Sequence, residues 1–325
     1  MNFNSLEWAA KLLRSPLGEK PLERLLPDPQ RSGHCESFDG TRIYWELHGA
    51  LPSKTDKKPL LFFYGLICSM NQWRKQVEYF SKEGHPCFLF DYRGHNESSF
   101  PDDLKSFNFS ALARDARNVL AANEVETPVH VWAHSMGVNV ALEFCLAYPD
   151  VCSDLVLCCG NVENPFETML NTDFLSKTVQ PILNLSPHRP EFFSIAWKIL
   201  LRKPEISKLV IRFAGFNRNI VDSKDVDTYL HAVSQINPLT FLYLINEMAK
   251  GATKGILSRI TCPVLVIGGE SDYITPLDAQ KKLASLLMEG EFCSVPAGSH
   301  NLQLEFDEYI CLKAKEFWTK KLSTP

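Results

Sequence analysis

The sequence VHVWAHSMGVNVALEF, residues 129–144, decides the fold of this chain. Its first half is a short apolar run rich in β-branched and aromatic residues, which is typical of a buried strand. Its second half repeats apolar residues at helical spacing. Ala133 and Gly137 flank a turn of almost no length, and small residues at these positions let the strand and the helix approach closely. Ser135 is therefore predicted at the apex of a sharp strand-to-helix turn.

The five residues Ala133 to Gly137 are a variant of the nucleophile elbow, whose pattern is G-x-S-x-G. A serine hydroxyl is a poor nucleophile at neutral pH unless a base lies beside it. At this turn the backbone N–H of Met136 would point toward an oxyanion formed next to Ser135. The alternative for Ser135 is a small polar residue that only caps the helix. The rest of the chain has to distinguish the two.

Composition limits the classes of function. The 325 residues are 45% apolar and 22% charged, which is typical of a globular protein with a sizeable core. The net charge of -4 and the lack of a basic stripe argue against nucleic-acid binding. Ten cysteines, several inside apolar runs, and an N-terminal sequence without signal-peptide character indicate reduced thiols. We therefore expect a cytoplasmic protein.

The order of the elements predicts an α/β fold. Two strand-like runs joined by Asp39-Gly40 predict an opening antiparallel hairpin. Continuous apolar strands then alternate with helices, which predicts a mostly parallel sheet with helices on both faces. We place this core at residues 33–160 and 259–325.

Residues 161–258 read as wholly helical and interrupt the core before its last strands. Because the sequence on both sides returns to one sheet, we interpret this insertion as a cap or lid. A separately folded domain is the alternative.

The first 32 residues precede the core. Phe3–Leu17 and Pro21–Leu26 have amphipathic patterns and predict helices. A helix packed on the body of the protein is the preferred interpretation. A weak contact of the first helix with a membrane surface is the alternative.

Residues suited to chemistry follow the predicted strands, at the edge where parallel sheets bind ligands. Ser135, Asp272 and His300 occur in the chain order that this elbow requires, and each follows a strand. His300 would accept the proton of Ser135, and Asp272 would hold the imidazole in one tautomer. Glu163 is the second choice of acid. The backbone N–H of Leu66, after another strand, would join that of Met136 as an oxyanion donor.

Three further residues are expected to line this site, namely Tyr64, Gly65 and His134. His130 and His134 are four residues apart, but they bracket a strand end and lack the helical His-Glu-x-x-His pattern. No Cys-x-x-Cys pair occurs either. We therefore expect neither a metal nor a cofactor.

Five short motifs together make the chain, from about residue 33 to residue 320, resemble the α/β-hydrolase superfamily. The motifs are Tyr64-Gly65, Asp91-Tyr92-Arg93-Gly94-His95, Ala133-His134-Ser135-Met136-Gly137, Gly268-Gly269-Glu270-Ser271-Asp272 and Gly298-Ser299-His300. The lidded esterases, lipases and carbon–carbon hydrolases are the most similar branches. Tyr64 stands where a His-Gly pair is usual, and Asn96 stands where Gly-His-Gly is usual.

The resemblance implies a serine hydrolase that cleaves a carboxylic ester through an acyl-serine intermediate. An insert rich in Phe, Leu, Ile and Trp favours an apolar or lipid-like small-molecule substrate. A serine nucleophile argues against dehalogenase and epoxide hydrolase chemistry, for which the resemblance implies a carboxylate. Carbon–carbon hydrolysis, acyl transfer and a non-catalytic binding protein on the same fold are the alternatives.

Overall fold

A computed structural model describes residues 23–201, 215–217 and 220–322. Its strands form one eight-stranded sheet in the spatial order 1-2-4-3-5-6-7-8. The strands are β1 (Arg31–Glu36), β2 (Arg42–His48), β3 (Leu60–Phe63), β4 (Cys87–Phe90), β5 (Val129–His134), β6 (Cys152–Cys158), β7 (Val264–Gly269) and β8 (Gly290–Val295). β2 is antiparallel to both β1 and β4, and the other neighbouring strands are parallel. The predicted α/β class and the mostly parallel sheet are confirmed.

The centre of the sheet is apolar on both faces. Every residue of β3, β4 and β5 is buried. Strands covered on both sides need continuous apolar runs rather than alternating ones, and this is the pattern of β3 and β4, from which β5 departs at His130 and His134. The core of the protein therefore lies on either side of β3, β4 and β5.

Helices connect the strands. Those outside the segment between β6 and β7 are α1 (Arg74–Lys82), α2 (Phe109–Ala122), α3 (Gly137–Ala147), α9 (Leu277–Ser285), α10 (Leu302–Glu305) and α11 (Asp307–Leu322). Asn108 caps α2, because its side chain accepts a hydrogen bond from the backbone N–H of Ala111 at 2.9 Å. Among the described residues, no helix has both the length and the apolar character needed to cross a membrane.

The segment between β6 and β7 is helical wherever it has regular structure within the described residues. Its α-helices are α4 (Pro165–Thr168), α5 (Phe174–Leu185), α6 (Pro190–Leu201), α7 (Ser223–Gln235) and α8 (Pro238–Ala249). Helices α4, α5 and α8 share an apolar cluster of their own, formed by Phe166, Leu183, Leu239, Leu242 and Ile245. Leu66, which follows β3, packs against this cluster.

The opening hairpin is confirmed, with a longer loop than two residues. Ser37 donates its backbone N–H to the carbonyl of Thr41 at 2.8 Å, so three residues form the loop. Gly40 is the last of them and adopts φ +82°, a left-handed conformation that glycine takes without strain.

The predicted N-terminal helices fare differently. Phe3–Leu17 lies outside the described residues. The described part of the second prediction, Glu23 to Leu26, is not helical, so that prediction is wrong there. The backbone of this segment forms hydrogen bonds with the side chain of Asn71 instead. Asn71 accepts from the N–H of Leu25 and donates to the carbonyl of Glu23.

Candidate active site

Ser135 lies in the two-residue connection between β5 and α3, with φ +54°. A non-glycine residue rarely adopts this left-handed conformation, and its presence marks a strained turn. The turn presses against the end of β3, because a Cβ at Gly137 would lie 2.5 Å from the carbonyl oxygen of Phe63. Only glycine fits at position 137. The half-buried Ser135 is thereby held above the carboxyl edge of the sheet.

The structure brings three of the predicted site residues into one hydrogen-bonded chain. Ser135 Oγ lies 2.9 Å from His300 Nε2, and His300 Nδ1 lies 2.9 Å from Asp272 Oδ2. Asp272 is 4% exposed and His300 is 7% exposed. With Nδ1–H donating to the carboxylate, Nε2 is free to accept the hydroxyl proton of Ser135. This chain can therefore generate a nucleophilic serine oxygen.

The carboxylate of Asp272 is fixed by a turn that the sequence analysis did not identify. Its Oδ1 accepts the backbone N–H groups of Ile274 and Thr275, both at 2.9 Å. The Thr275 hydroxyl lies 2.7 Å from Oδ2, and Gln280 donates to the same oxygen at 3.3 Å. An Asp whose side chain accepts hydrogen bonds from the backbone two and three residues ahead forms an Asx turn. The only sign of this turn in the sequence was an Asp shortly after a strand. No pattern in the sequence indicated that Gln280 would donate a hydrogen bond to Asp272.

Glu163, the second choice of acid, has other partners. Its Oε1 accepts from Lys282 at 2.6 Å and from Lys254 at 3.1 Å. The hydrogen bond from Lys282, supported by Lys254, lowers the pKa of Glu163 against the opposing effect of its partial burial. The acid that the structure brings to His300 is Asp272.

The backbone segments that carry the two predicted oxyanion donors both lie next to Ser135. Met136 begins the turn into α3, with helical φ and ψ of -52° and -36°. On the other side, Gly65 precedes Leu66, and a Cβ at Gly65 would lie 3.1 Å from the Cβ of Ser135. The backbone at Gly65 thus passes directly beside the serine because this residue has no side chain. Gln72 fixes the loop by accepting the N–H of Gly65 at 3.2 Å.

The side chain of Tyr64 is directed toward the loop after β4. Its hydroxyl accepts the N–H of Tyr92, and the hydroxyl of Tyr92 donates to the carbonyl of Tyr64, both at 2.9 Å. The two rings are 4.2 Å apart between centroids. Tyr64 is 1% exposed and does not line the site, so it supports the loop of Gly65 from behind.

His134 is buried beneath His300. Its Nε2 donates to the backbone carbonyl of His300 at 2.7 Å, and the ring centroids are 4.8 Å apart. Burial, followed by the proximity of His300, lowers the pKa of His134 well below its ordinary value. A neutral ring fits this environment, since Nδ1 is buried without a hydrogen-bond partner. His134 therefore supports the loop that carries His300.

A segment between α6 and α7 also contacts the loop of His300. This contact was not predicted from the sequence. The backbone N–H of His300 donates to the carbonyl of Gly215 at 3.0 Å. Asn217 donates its side-chain amide to the carbonyl of Ala297 at 2.9 Å, and its backbone N–H to Glu305 at 2.7 Å. Gly215 adopts φ +69°, and a Cβ at this position would lie 2.5 Å from the Cβ of His300, so a glycine is required here. This glycine was the one feature of the sequence that could have indicated the contact.

His130 and His134, the two histidines considered as metal ligands, each have a hydrogen-bond partner within the protein. His130 Nδ1 lies 2.6 Å from Asp154, and its ring stacks on Trp318 with centroids 4.0 Å apart. His134 donates to His300 at the opposite end of β5. The two imidazoles thus serve separate parts of the fold.

The sheet, the elbow and the Ser135–His300–Asp272 chain define a class of protein. The family model for the alpha/beta hydrolase fold matches residues 58–307, which is more than half of the chain. The protein therefore belongs to the α/β-hydrolase family, as the motifs predicted.

Individual relatives are distant. The chain is 25% identical over 264 residues to Protein ABHD8 of Mus musculus, a match that covers 79% of this chain and 54% of that protein. The chain thus spans about half the length of this relative. It is 25% identical over 277 residues to the bifunctional esterase/perhydrolase DCH of Acinetobacter calcoaceticus, covering 83% of this chain and 93% of that protein.

A solved structure supports the fold. The thermophilic esterase from Thermogutta terrifontis matches with a TM-score of 0.69 and 19% identity, covering 90% of this chain and 100% of that chain. At this identity the similarity concerns the fold alone.

Proposed function

We propose that this protein is a serine hydrolase that cleaves a carboxylic ester through an acyl intermediate on Ser135. The observation that carries the proposal is the pair of 2.9 Å contacts linking Ser135 Oγ to His300 and His300 to Asp272. Membership of the α/β-hydrolase family supports a hydrolase in general.

The proposed reaction has two steps. His300 Nε2 takes the proton of Ser135 as Oγ attacks the ester carbonyl, and the same proton then passes to the leaving alcohol. Asp272 stabilises the imidazolium that forms between these transfers. In the second step, water loses a proton to His300 and attacks the acyl carbon. The bond between the acyl carbon and Oγ then breaks, and His300 returns the proton to Oγ, which releases the acid and restores Ser135.

The charge on the carbonyl oxygen needs donors in fixed positions. In this proposal, the backbone N–H groups of Met136 and Leu66 stabilise the oxyanion on either side of the tetrahedral carbon. The start of α3 at Met136 and the close approach of Gly65 to Ser135 support this assignment.

We infer an apolar acyl group for the substrate and treat residues 161–258 as a cap over the site. The side chain of Leu66 packs against the apolar cluster of this segment, so one residue connects the proposed oxyanion loop to the cap. Gly215 and Asn217 of the same segment contact the loop of His300. An apolar cap next to a polar reacting centre favours lipophilic esters.

A fluorophosphonate probe tests the nucleophile. We expect covalent labelling of the wild-type protein at Ser135 and none of Ser135→Ala. No labelling of a folded wild-type protein would favour a non-catalytic binding protein, and labelling at another residue would refute Ser135 as the nucleophile. p-Nitrophenyl esters of graded chain length then define the acyl preference, and faster turnover of longer chains is expected.

Product analysis separates the remaining alternatives on the same residues. A hydrolase releases the free acid even when an alcohol or thiol acceptor is added, whereas an acyltransferase partitions product toward the acceptor. A labelled protein that cleaves no ester of the series would redirect the search toward carbon–carbon bonds.

We also retain two proposals on location. The chain acts in the cytoplasm, in keeping with the reduced cysteines of the described residues. A weak membrane-surface contact through Phe3–Leu17 is tested by deleting that segment and measuring partition onto liposomes. Unchanged partition would remove that contact.

A further inference from the structure

Three cysteines meet at the end of the sheet remote from Ser135. Cys145 lies in α3, Cys152 begins β6, and Cys262 lies two residues before β7. Their sulfur atoms are all within 4.8 Å of one another, and those of Cys145 and Cys262 are 3.3 Å apart. We propose that these three thiols form a binding site for a soft, thiophilic metal cation, with Zn²⁺ or Cu⁺ as the candidate ions.

The donor set determines the kind of cation. Thiolate sulfur selects soft or borderline ions such as Cu⁺ and Zn²⁺ over Mg²⁺ and Ca²⁺. With zinc–sulfur bonds of about 2.3 Å, two sulfurs on one tetrahedral ion are about 3.8 Å apart. The sulfur–sulfur distances in the cluster, 3.3 Å for one pair and at most 4.8 Å for the others, are close to this value, so small side-chain rotations suffice. A fourth position would remain for water, on the side of the half-buried Cys262.

Metal binding to this cluster would be coupled to proton release. The thiolate, and not the thiol, is the form of cysteine that binds a metal, so a bound cation would take the place of thiol protons. Binding should therefore weaken as the pH falls.

The location makes the site independent of the proposed esterase activity. Cys152 and Cys262 lie at the amino ends of β6 and β7, which pair in parallel from Leu155 and Val264. The elbow follows the carboxyl end of β5. A bound cation would tie α3 to β6 and β7 and stabilise the folded state, because the unfolded chain does not hold these cysteines together. Spacings of seven and 110 residues give no recognisable motif.

Native mass spectrometry of the reduced, full-length protein tests the proposal with Zn²⁺ and Cu⁺ in separate titrations. We expect one ion per chain, and loss of that ion in Cys145→Ser and in Cys262→Ser. Cys35→Ser is the matched control, since Cys35 is another half-buried cysteine outside the cluster, and it should bind as the wild type does. Mg²⁺ should not bind.

A second measurement needs no variant to fold. Co²⁺ added to the wild-type protein should give a thiolate-to-metal charge-transfer band, and Zn²⁺ should remove it by displacement. Zn²⁺ should also raise the Tm of the wild type. The proposal is overturned if neither Zn²⁺ nor Cu⁺ binds stoichiometrically, or if binding survives Cys262→Ser. It is also overturned if oxidation to a Cys145–Cys262 disulfide is the only change that the cluster undergoes.

Discussion

The Nε2–H of His134 donates to the backbone carbonyl of His300 across 2.7 Å, and thereby joins the residue before Ser135 to the loop of His300. The same His300 donates its backbone N–H to Gly215. Its position is therefore fixed from the core on one side and from the helical insert on the other. Both contacts act on the backbone, which leaves the imidazole free to serve Ser135 and Asp272.

Replacing His134 should disturb His300 without touching substrate. In His134→Phe the carbonyl of His300 loses its buried donor, so we expect a fall of about 10–100-fold in kcat for ester hydrolysis, with KM nearly unchanged. The free energy of unfolding should fall by about 1–3 kcal/mol. His134→Gln keeps a donor and should recover part of kcat. Equal kcat values for His134→Phe and the wild type would show that the contact has no positioning role.

Asp272 and Glu163 give a matched pair of carboxylate variants. Asp272→Asn should lower kcat by roughly 10³–10⁴-fold, because the amide no longer holds Nδ1–H and cannot stabilise an imidazolium. Glu163→Gln should change kcat little, since Glu163 pairs with Lys254 and Lys282. Steady-state kinetics on one p-nitrophenyl ester measures both. A severe loss in Glu163→Gln with an active Asp272→Asn would reverse the assignment.

Gly137 should tolerate no side chain. In Gly137→Ala the new Cβ would meet the carbonyl oxygens of Phe63 and Tyr64 at 2.5 and 2.7 Å. We expect the free energy of unfolding to fall by about 1–3 kcal/mol or more, since backbone cannot move aside cheaply. Gly255→Ala is the control, because no atom lies within 4 Å of its added Cβ. Urea denaturation compares the two, and an equally small effect in both would contradict the close packing at the elbow.

Glu46 should make stability depend on acid pH. Burial alone would raise the pKa of Glu46, but hydrogen bonds from His48, Arg24 and Tyr44 outweigh it and lower this pKa from 4.5 to about 2. A carboxylate with a depressed folded pKa stabilises the fold fully above its unfolded pKa, and this contribution is lost as pH falls toward 2. Glu46→Gln should therefore lower stability at pH 7 and show a shallower decline below pH 4.5.

The control for this pH dependence is Glu36→Gln on the neighbouring strand β1, where the carboxylate is exposed. Urea denaturation at a series of pH values measures the free energy of unfolding as a function of pH. For Glu36→Gln, the slope of this free energy against pH should equal that of the wild type. If Glu46→Gln also kept that slope, the stabilising contribution of the Glu46 contacts would be refuted.

The sequence predicted the elements whose signals are local. Continuous apolar runs at Leu60 and Cys87 marked strands covered on both faces, and Asp39-Gly40 marked the hairpin. Where a local pattern fitted more than one structure, the contacts of that segment with the rest of the protein decided which structure formed. The described segment before Pro27, predicted as a helix from its amphipathic pattern, binds Asn71 through its backbone instead.

By itself, the sequence determined the α/β class, the sharp turn at Ser135 and the order of serine, acid and histidine, because each depends on short-range periodicity or on chain order. Only the tertiary structure decided that Asp272 rather than Glu163 reaches His300, that Tyr64 faces Tyr92, and that His134 supports the loop of His300. It alone gathered Cys145, Cys152 and Cys262. The physical reason is that these partners are brought together by strand pairing and helix packing across long separations in the chain, which no local pattern encodes.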